Sequence, residues 1–423
     1  MPWNRRSVLL SSCAVISGST ACLRNGVPLQ SSSGRNGCLE LADLEGDDVS
    51  NMGVQGSNSS WPMEGYDNKN SYRLSDLPPS LKHKRWTFER SAIPDVSPIV
   101  GYDTVFFGAE EGLHALNVST GEEKWSRSCD HNVAATPAIS GNLVTFGLWN
   151  GLIITINAIT GENEWEEPLS ITPDGGITAT DNTIAIVGRE DDLGKIQVLD
   201  PDSGAKLWST FTETWIARPA AMTESMLVVV TSAGRVRAFE ISSGDEIWDF
   251  SRTTMAGSHC TAPAIHDENV YYLARTPSKE SDSVLYALDI ASGGERWSVT
   301  VPGPNILGDL AVSEDAVYVM AESGKPASSD GSNLRIETTL ASLDRRGGDV
   351  VWNKRISGSV WAGPIIADDN IITVIGDAFS TRHISNGDVN RCIELPAPPI
   401  GGIAVAGGLG LMGGINDSLY AIG

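Results

Sequence analysis

Leu285-Tyr-Ala-Leu-Asp-Ile-Ala-Ser-Gly-Gly-Glu-Arg-Trp297 reads as two strands joined by a tight turn at Ser292-Gly293-Gly294, with a tryptophan closing the second strand. Variants run from Leu113 to Trp125, Ile154 to Trp165, Ile196 to Trp208, Val236 to Trp248 and Leu340 to Trp352. A period of roughly 40 residues with four short strands per unit is the signature of propeller blades. Two series count the blades. The strand-ending position is held by Trp86, Trp125, Trp165, Trp208, Trp248, Trp297, Trp352 and Cys392. The innermost strand opens at Ser97-Pro98, Thr136-Pro137, Gly175-Gly176, Arg218-Pro219, Ala262-Pro263, Gly308-Asp309, Gly363-Pro364 and Gly401-Gly402. Small residues suit inner strands crowded round a narrow channel, and proline is tolerated at the first residue of a strand. Both series give eight, so the expected fold is all-β, one eight-bladed propeller over 61–423.

The two series are offset. Trp86 precedes the first inner strand and has no blade of its own, while Asp417-Ser-Leu-Tyr-Ala-Ile-Gly423 supplies a third strand without a fourth. The strand around Trp86 is expected to complete that last blade, leaving no open edge at the seam.

Asn4-Arg5-Arg6-Ser7-Val8-Leu9-Leu10 looks like a twin-arginine export signal, with Arg5 and Arg6 as its recognition pair. The apolar run Val8 to Ile16 is too short and too rich in serine to span a bilayer. Ser19-Thr20-Ala21-Cys22 is similar to a lipobox, which makes Cys22 the candidate lipidation site and 1–22 the signal; Ser19 departs from the usual Leu or Val. Residues 23–60 are polar with few large apolar side chains, the composition of a flexible tether. Trp61-Pro-Met-Glu-Gly-Tyr-Asp-Asn-Lys-Asn-Ser-Tyr72 then opens ordered structure, as a segment expected to pack across the propeller.

The 423 residues carry a formal net charge of −23, and no basic patch is evident, which excludes bare nucleic acid as a partner. An acidic chain with more Arg than Lys suits a salt-rich setting, where carboxylates hold a hydration shell and salt screens their repulsion. Of six cysteines, Cys38, Cys129, Cys260 and Cys392 lie beyond the signal, without CxxC or Cys/His spacing for zinc. Export permits disulfides, but pairing cannot be read from spacing. Cys392 stands where the other repeats have Trp and is expected to fill part of a core site. Asp191-Asp192, Asp267-Glu268 and Asp368-Asp369 read as turn residues.

The repeated strand, glycine turn and terminal tryptophan resemble the PQQ-like (pyrroloquinoline-quinone repeat) β-propeller family over residues 61–423. That family includes quinone-dependent dehydrogenases and lipoproteins of bacterial outer-membrane assembly. Within it the repeated Trp usually docks one blade on the next. The dehydrogenases hold their quinone in the channel, many against adjacent cysteines, with calcium beside it. No Cys-Cys pair occurs here, and no catalytic base can be assigned by a matching motif. Neither quinone, calcium nor any other metal is therefore expected. The resemblance implies an exported, membrane-anchored, monomeric and non-enzymatic propeller that binds a protein or an extended ligand at the cell surface. A haloarchaeal cell, as the acidity suggests, lacks an outer membrane, so the assembly role does not transfer whole. The alternatives are a PQQ-dependent dehydrogenase and, more weakly, a carbohydrate-binding surface protein.

Chain direction alternates within a blade. Connections between blades therefore share one face with the loops between second and third strands; this is the mouth face. The glycine turns lie on the opposite, turn face. Two insertions, Arg275 to Ser283 and Glu322 to Thr338, join His131, Trp215, Arg218, His259 and Trp361 on the mouth face. Trp215 and Trp361 are extra to the docking series. Long loops on a rigid scaffold often carry function, so these five residues form the candidate binding face. Arg218 and His259 are read as groups that could orient a polar or acidic moiety.

Overall fold

The computed structural model describes residues 13–16, 19–24, 27–28, 38–40, 60–74, 79, 81–89, 96–109, 111–251, 260–275, 282–326, 334–395, 399–414 and 418–423. Arg5, Arg6 and His259 lie outside them. Cys22 sits in a short strand, Ser19–Arg24, that pairs antiparallel with Cys13–Ile16.

Eight sheets form the propeller, as the repeat counts require. Blade 1 runs Ile99–Gly101, Thr104–Ala109, Gly112–Asn117 and Glu123–Ser128, each strand antiparallel to the next. Blades 2 to 7 repeat that order. Blade 8 takes Pro399–Ala406, Leu409–Gly414 and Ser418–Ile422 from the C-terminal end and Lys84–Glu89 from the N-terminal end. Its seam pairs Leu419 with Phe88 and Ala421 with Trp86. The Gly423 carbonyl accepts from the His83 amide at 2.8 Å, and the Gly423 amide donates back to the His83 carbonyl at 2.9 Å.

The tryptophans explain the pattern that reveals the fold. Each ring lies on the glycine turn of the following blade. A Cβ added at Gly121, Gly161, Gly204, Gly244, Gly293, Gly348 or Gly387 would fall within 2.8 Å of the preceding blade's tryptophan ring. Those turns need glycine twice over, since φ is between +70° and +78° at all seven. Six indoles donate into the next blade, for example Trp248 Nε1 to the Ile290 carbonyl at 2.7 Å and Trp86 Nε1 to the Val118 carbonyl at 2.9 Å. A large ring with one N–H suits an interface that is apolar across its width and polar at one edge.

Cys392 is the exception and corrects the expectation of a core filler. It is disulfide-bonded to Cys38. Blade 8 has no turn between its third and fourth strands, because these come from opposite ends of the propeller. A tryptophan at 392 would have no glycine turn to cover. The disulfide instead holds Leu39–Glu40 as an extra parallel strand outside Val389–Glu394 of blade 7. The stretch read as a tether is thus fixed to the propeller at 38–40.

The insertion in blade 6 is mostly strand. Ala316–Pro326 and Leu334–Asp344 keep one ladder from Ala316↔Asp344 to Pro326↔Leu334. Asp191, Asp267 and Asp368 occupy turns at φ 55°, 50° and 50°, conformations that Asp tolerates better than most residues.

Candidate functional site

Residues 61–74 cross the channel on the turn side. Backbone bonds tie Trp61 to Val100 of blade 1, Pro62 to Ile139 of blade 2 and Asn68 to Met222 of blade 4. The path continues through Lys69 to Ile265 of blade 5, Ser71 to Val312 of blade 6 and Tyr72 to Ile366 of blade 7. Arg73–Leu74 then lies parallel to Ile366–Ala367. At the axis the buried Asn70 side chain donates to the carbonyls of Ala220 at 3.2 Å and Pro263 at 3.0 Å. The expected segment across the propeller is therefore a plug, seated where inner strands expose carbonyls and amides that no blade neighbour satisfies.

The plug turns the channel into a blind well open to the mouth face. Trp61, Glu64 and Tyr72 form part of its floor; Arg218, Asp309 and Trp361 stand in its wall. Asp309 is the most connected group. Its carboxylate accepts from the Tyr72 hydroxyl at 3.0 Å and the Ala262 amide at 2.7 Å, and Arg218 Nη1 stands 3.8 Å away. Burial, then the charges of Asp309 and Glu64, push the Tyr72 hydroxyl well above its ordinary range, so it stays a donor. Burial alone would lower the Arg218 guanidinium, but Asp309 and Glu64 outweigh it and hold it above its usual value. Burial pushes the neighbouring Cys260 thiol up to about 12 against the pull of Arg218, which leaves it an unreactive core group. Glu64 accepts from Thr136 Oγ1 at 3.0 Å.

Of the residues singled out in the sequence, the structure brings Arg218 and Trp361 together in the well. Trp215 lies half-buried on the connection to blade 4, where its carbonyl accepts from the Ser232 amide, and it does not line the well. His131 is exposed on the link from blade 1 to blade 2 and is also apart from it. Arg218, read as a group that could orient a polar or acidic moiety, stands beside Asp309, which shares its charge. Sequence reasoning missed Glu64, Tyr72 and Asp309. Asp309 had a signal: with Arg218 it is one of only two charged residues among the eight pairs that open the inner strands.

The well leaves about 30 Å³ of space for the centres of water-sized molecules and is open to solvent on one side. No adjacent cysteines are present in the sequence to stack on a quinone. A second polar cluster, His266, Asp267 and Glu314, lies on the turn face. Its carboxylates are engaged by Arg345 at 2.8 Å and Arg73 at 2.6 Å, which makes it an ion-pair network rather than a metal centre.

A family model described as outer membrane protein assembly factor BamB matches residues 82–177 and 149–377. The BamB of Burkholderia pseudomallei (strain K96243) is 24% identical over 246 residues, 58% of this chain and 60% of that protein, so the match spans less than two thirds of the relative's length. The serine/threonine-protein kinase AfsK of Streptomyces coelicolor is 33% identical over 104 residues, which is 24% of this chain and 12% of the kinase. Among solved structures, BamB from Moraxella catarrhalis superposes with a TM-score of 0.61 at 16% identity, covering 80% of this chain and 96% of that one. The quinohemoprotein alcohol dehydrogenase from Comamonas testosteroni gives 0.69 at 12% identity, covering 89% and 82%. At these identities the structural likeness concerns the fold alone.

Proposed function

The chain belongs to the family described as outer membrane protein assembly factor BamB, and on that premise we propose that it is an exported, non-enzymatic scaffold that holds a protein partner on its mouth face. The observation that carries this reading is the plug. It closes the turn side of the channel with the chain's own residues and leaves a polar and aromatic well on the other side. A rigid concave site suits a protruding side chain of a partner. Around it the mouth face offers Trp361 in the well, Trp215 and His131 on the links into blades 4 and 2, and the long ladder of blade 6 as a projecting wall. The twin-arginine pair Arg5-Arg6 and a lipidated Cys22 would deliver the scaffold to the outer surface of the membrane and keep it there.

Replacing Trp215 and Trp361 together with alanine tests the face. The pair should lose crosslinking to its membrane partner while the melting temperature holds. Lysine at Ser119 and Ser243, on the turn face, should leave crosslinking intact. Loss of the partner in the turn variants with retention in the double tryptophan variant would reverse the assignment. Export is tested separately: lysine at Arg5 and Arg6 should block it, and Cys22→Ser should release the protein to the medium.

A further inference from the structure

The charges around the well do not balance, and we propose, building on the mouth-face reading, that the well receives a primary ammonium group, the end of a lysine side chain presented by the partner. Asp309 and Arg218 form a compensated pair, and the remaining bonding capacity of Asp309 is taken by Tyr72 and the Ala262 amide. Glu64 is different. One of its oxygens accepts from Thr136, and among the described residues it has no ion pair. The lining therefore holds two carboxylates against one guanidinium, an excess of negative charge in a site of low solvent access. An incoming anion would meet that excess; a cation would neutralise it.

Two further features narrow the cation. The rings of Trp61, Tyr72 and Trp361 line the same space, and aromatic faces attract cations through their quadrupole. An ammonium is a compact point charge with three rotatable donors, so it can meet Glu64 without the fixed planar fork that a guanidinium presents. Lysine rather than arginine is the residue this site selects.

The probe is n-butylammonium chloride, titrated at constant ionic strength against sodium chloride, with tryptophan fluorescence as the readout. The wild-type protein should show a saturable change. Glu64→Gln keeps the acceptor for Thr136 and removes the charge; it should weaken binding about tenfold or more while leaving the melting temperature unchanged. Glu314→Gln, a carboxylate on the turn face, should bind as wild type. Butylguanidinium and butyrate should give no saturable response. The inference is overturned if wild type does not saturate with butylammonium, if Glu64→Gln binds as well as wild type, or if butyrate or butylguanidinium binds equally. The probe needs no partner, so the two readings fail separately. Saturable, Glu64-dependent binding in a protein whose double tryptophan variant keeps its partner would sink the face assignment alone. Loss of the partner in that variant without ammonium binding would sink this inference alone.

Discussion

The contact between Trp248 and Gly293 offers a direct test of how the blades are held. Trp248 is 7% exposed, and its indole donates to the Ile290 carbonyl. Truncation to alanine should cost about 3–5 kcal/mol for the lost ring, with about 1 kcal/mol of that range attributable to the hydrogen bond. Gly293 has φ +70°, and a Cβ there would sit 2.6 Å from the Trp248 ring. Gly293→Ala should therefore cost about 1–2 kcal/mol for the left-handed backbone and a further ~1–3 kcal/mol for the clash. Only the clash requires the ring. In the double variant it disappears, so the combined loss should fall short of the sum by about 1–3 kcal/mol. Equilibrium denaturation of the four proteins, followed by far-ultraviolet circular dichroism, measures this coupling. Additivity to within about 0.5 kcal/mol would refute the view that the glycine is required by the ring upon it as well as by its own turn.

Three other perturbations probe the seam, the leader and a buried carboxylate. Deleting Ser418 to Gly423 removes the partner of Lys84–Glu89 and should lower the melting temperature and promote aggregation; an unchanged melt would contradict the seam. Cys38→Ser should free the strand Leu39–Glu40 from blade 7, so that limited proteolysis cuts near residue 40 without loss of the propeller; equal resistance to wild type would show that the two-residue pairing suffices. Asp174, raised to about 6 by burial against the opposing pull of Arg189, is 13% exposed. Its folded value lies above its unfolded one, so its contribution is fully present below about pH 4 and fades as pH rises through about 6, an effect of about 3 kcal/mol at most. Asp174→Asn should flatten the fall in stability between acid and neutral pH, and an identical pH profile in the variant would rule the residue out.

The ring was legible because its contacts recur. One tryptophan over one glycine turn leaves the same trace at seven of the eight blade junctions, and the offset between the two series placed the seam. The plug was visible only as a run of aromatics with a turn, since its bonds to six blades run through backbone atoms that carry no sequence signature. The well was half legible. Trp361 stood out as an extra tryptophan and Arg218 as a charge in a series of small residues. Glu64 and Tyr72 reach the site from a segment outside the repeat, and the partnership of Asp309 with Arg218 spans two blades. Cys392 was misread for a similar reason: its neighbour across the disulfide lies in a polar stretch whose composition gives no hint of a fixed position.

The seam also constrains when this protein can finish folding. Lys84–Glu89 must wait without a ladder partner until Ser418–Ile422 has been synthesised, and Cys38 waits likewise for Cys392, 354 residues later. Blades 1 to 7 can form as the chain emerges, but the ring cannot close before the last strand is free. An unpaired edge held for that long invites strand exchange with a second copy. The critical interval for this molecule is thus the synthesis of its last blade, and a slowed ribosome over that blade should raise misassembly more than the same pause over any earlier one.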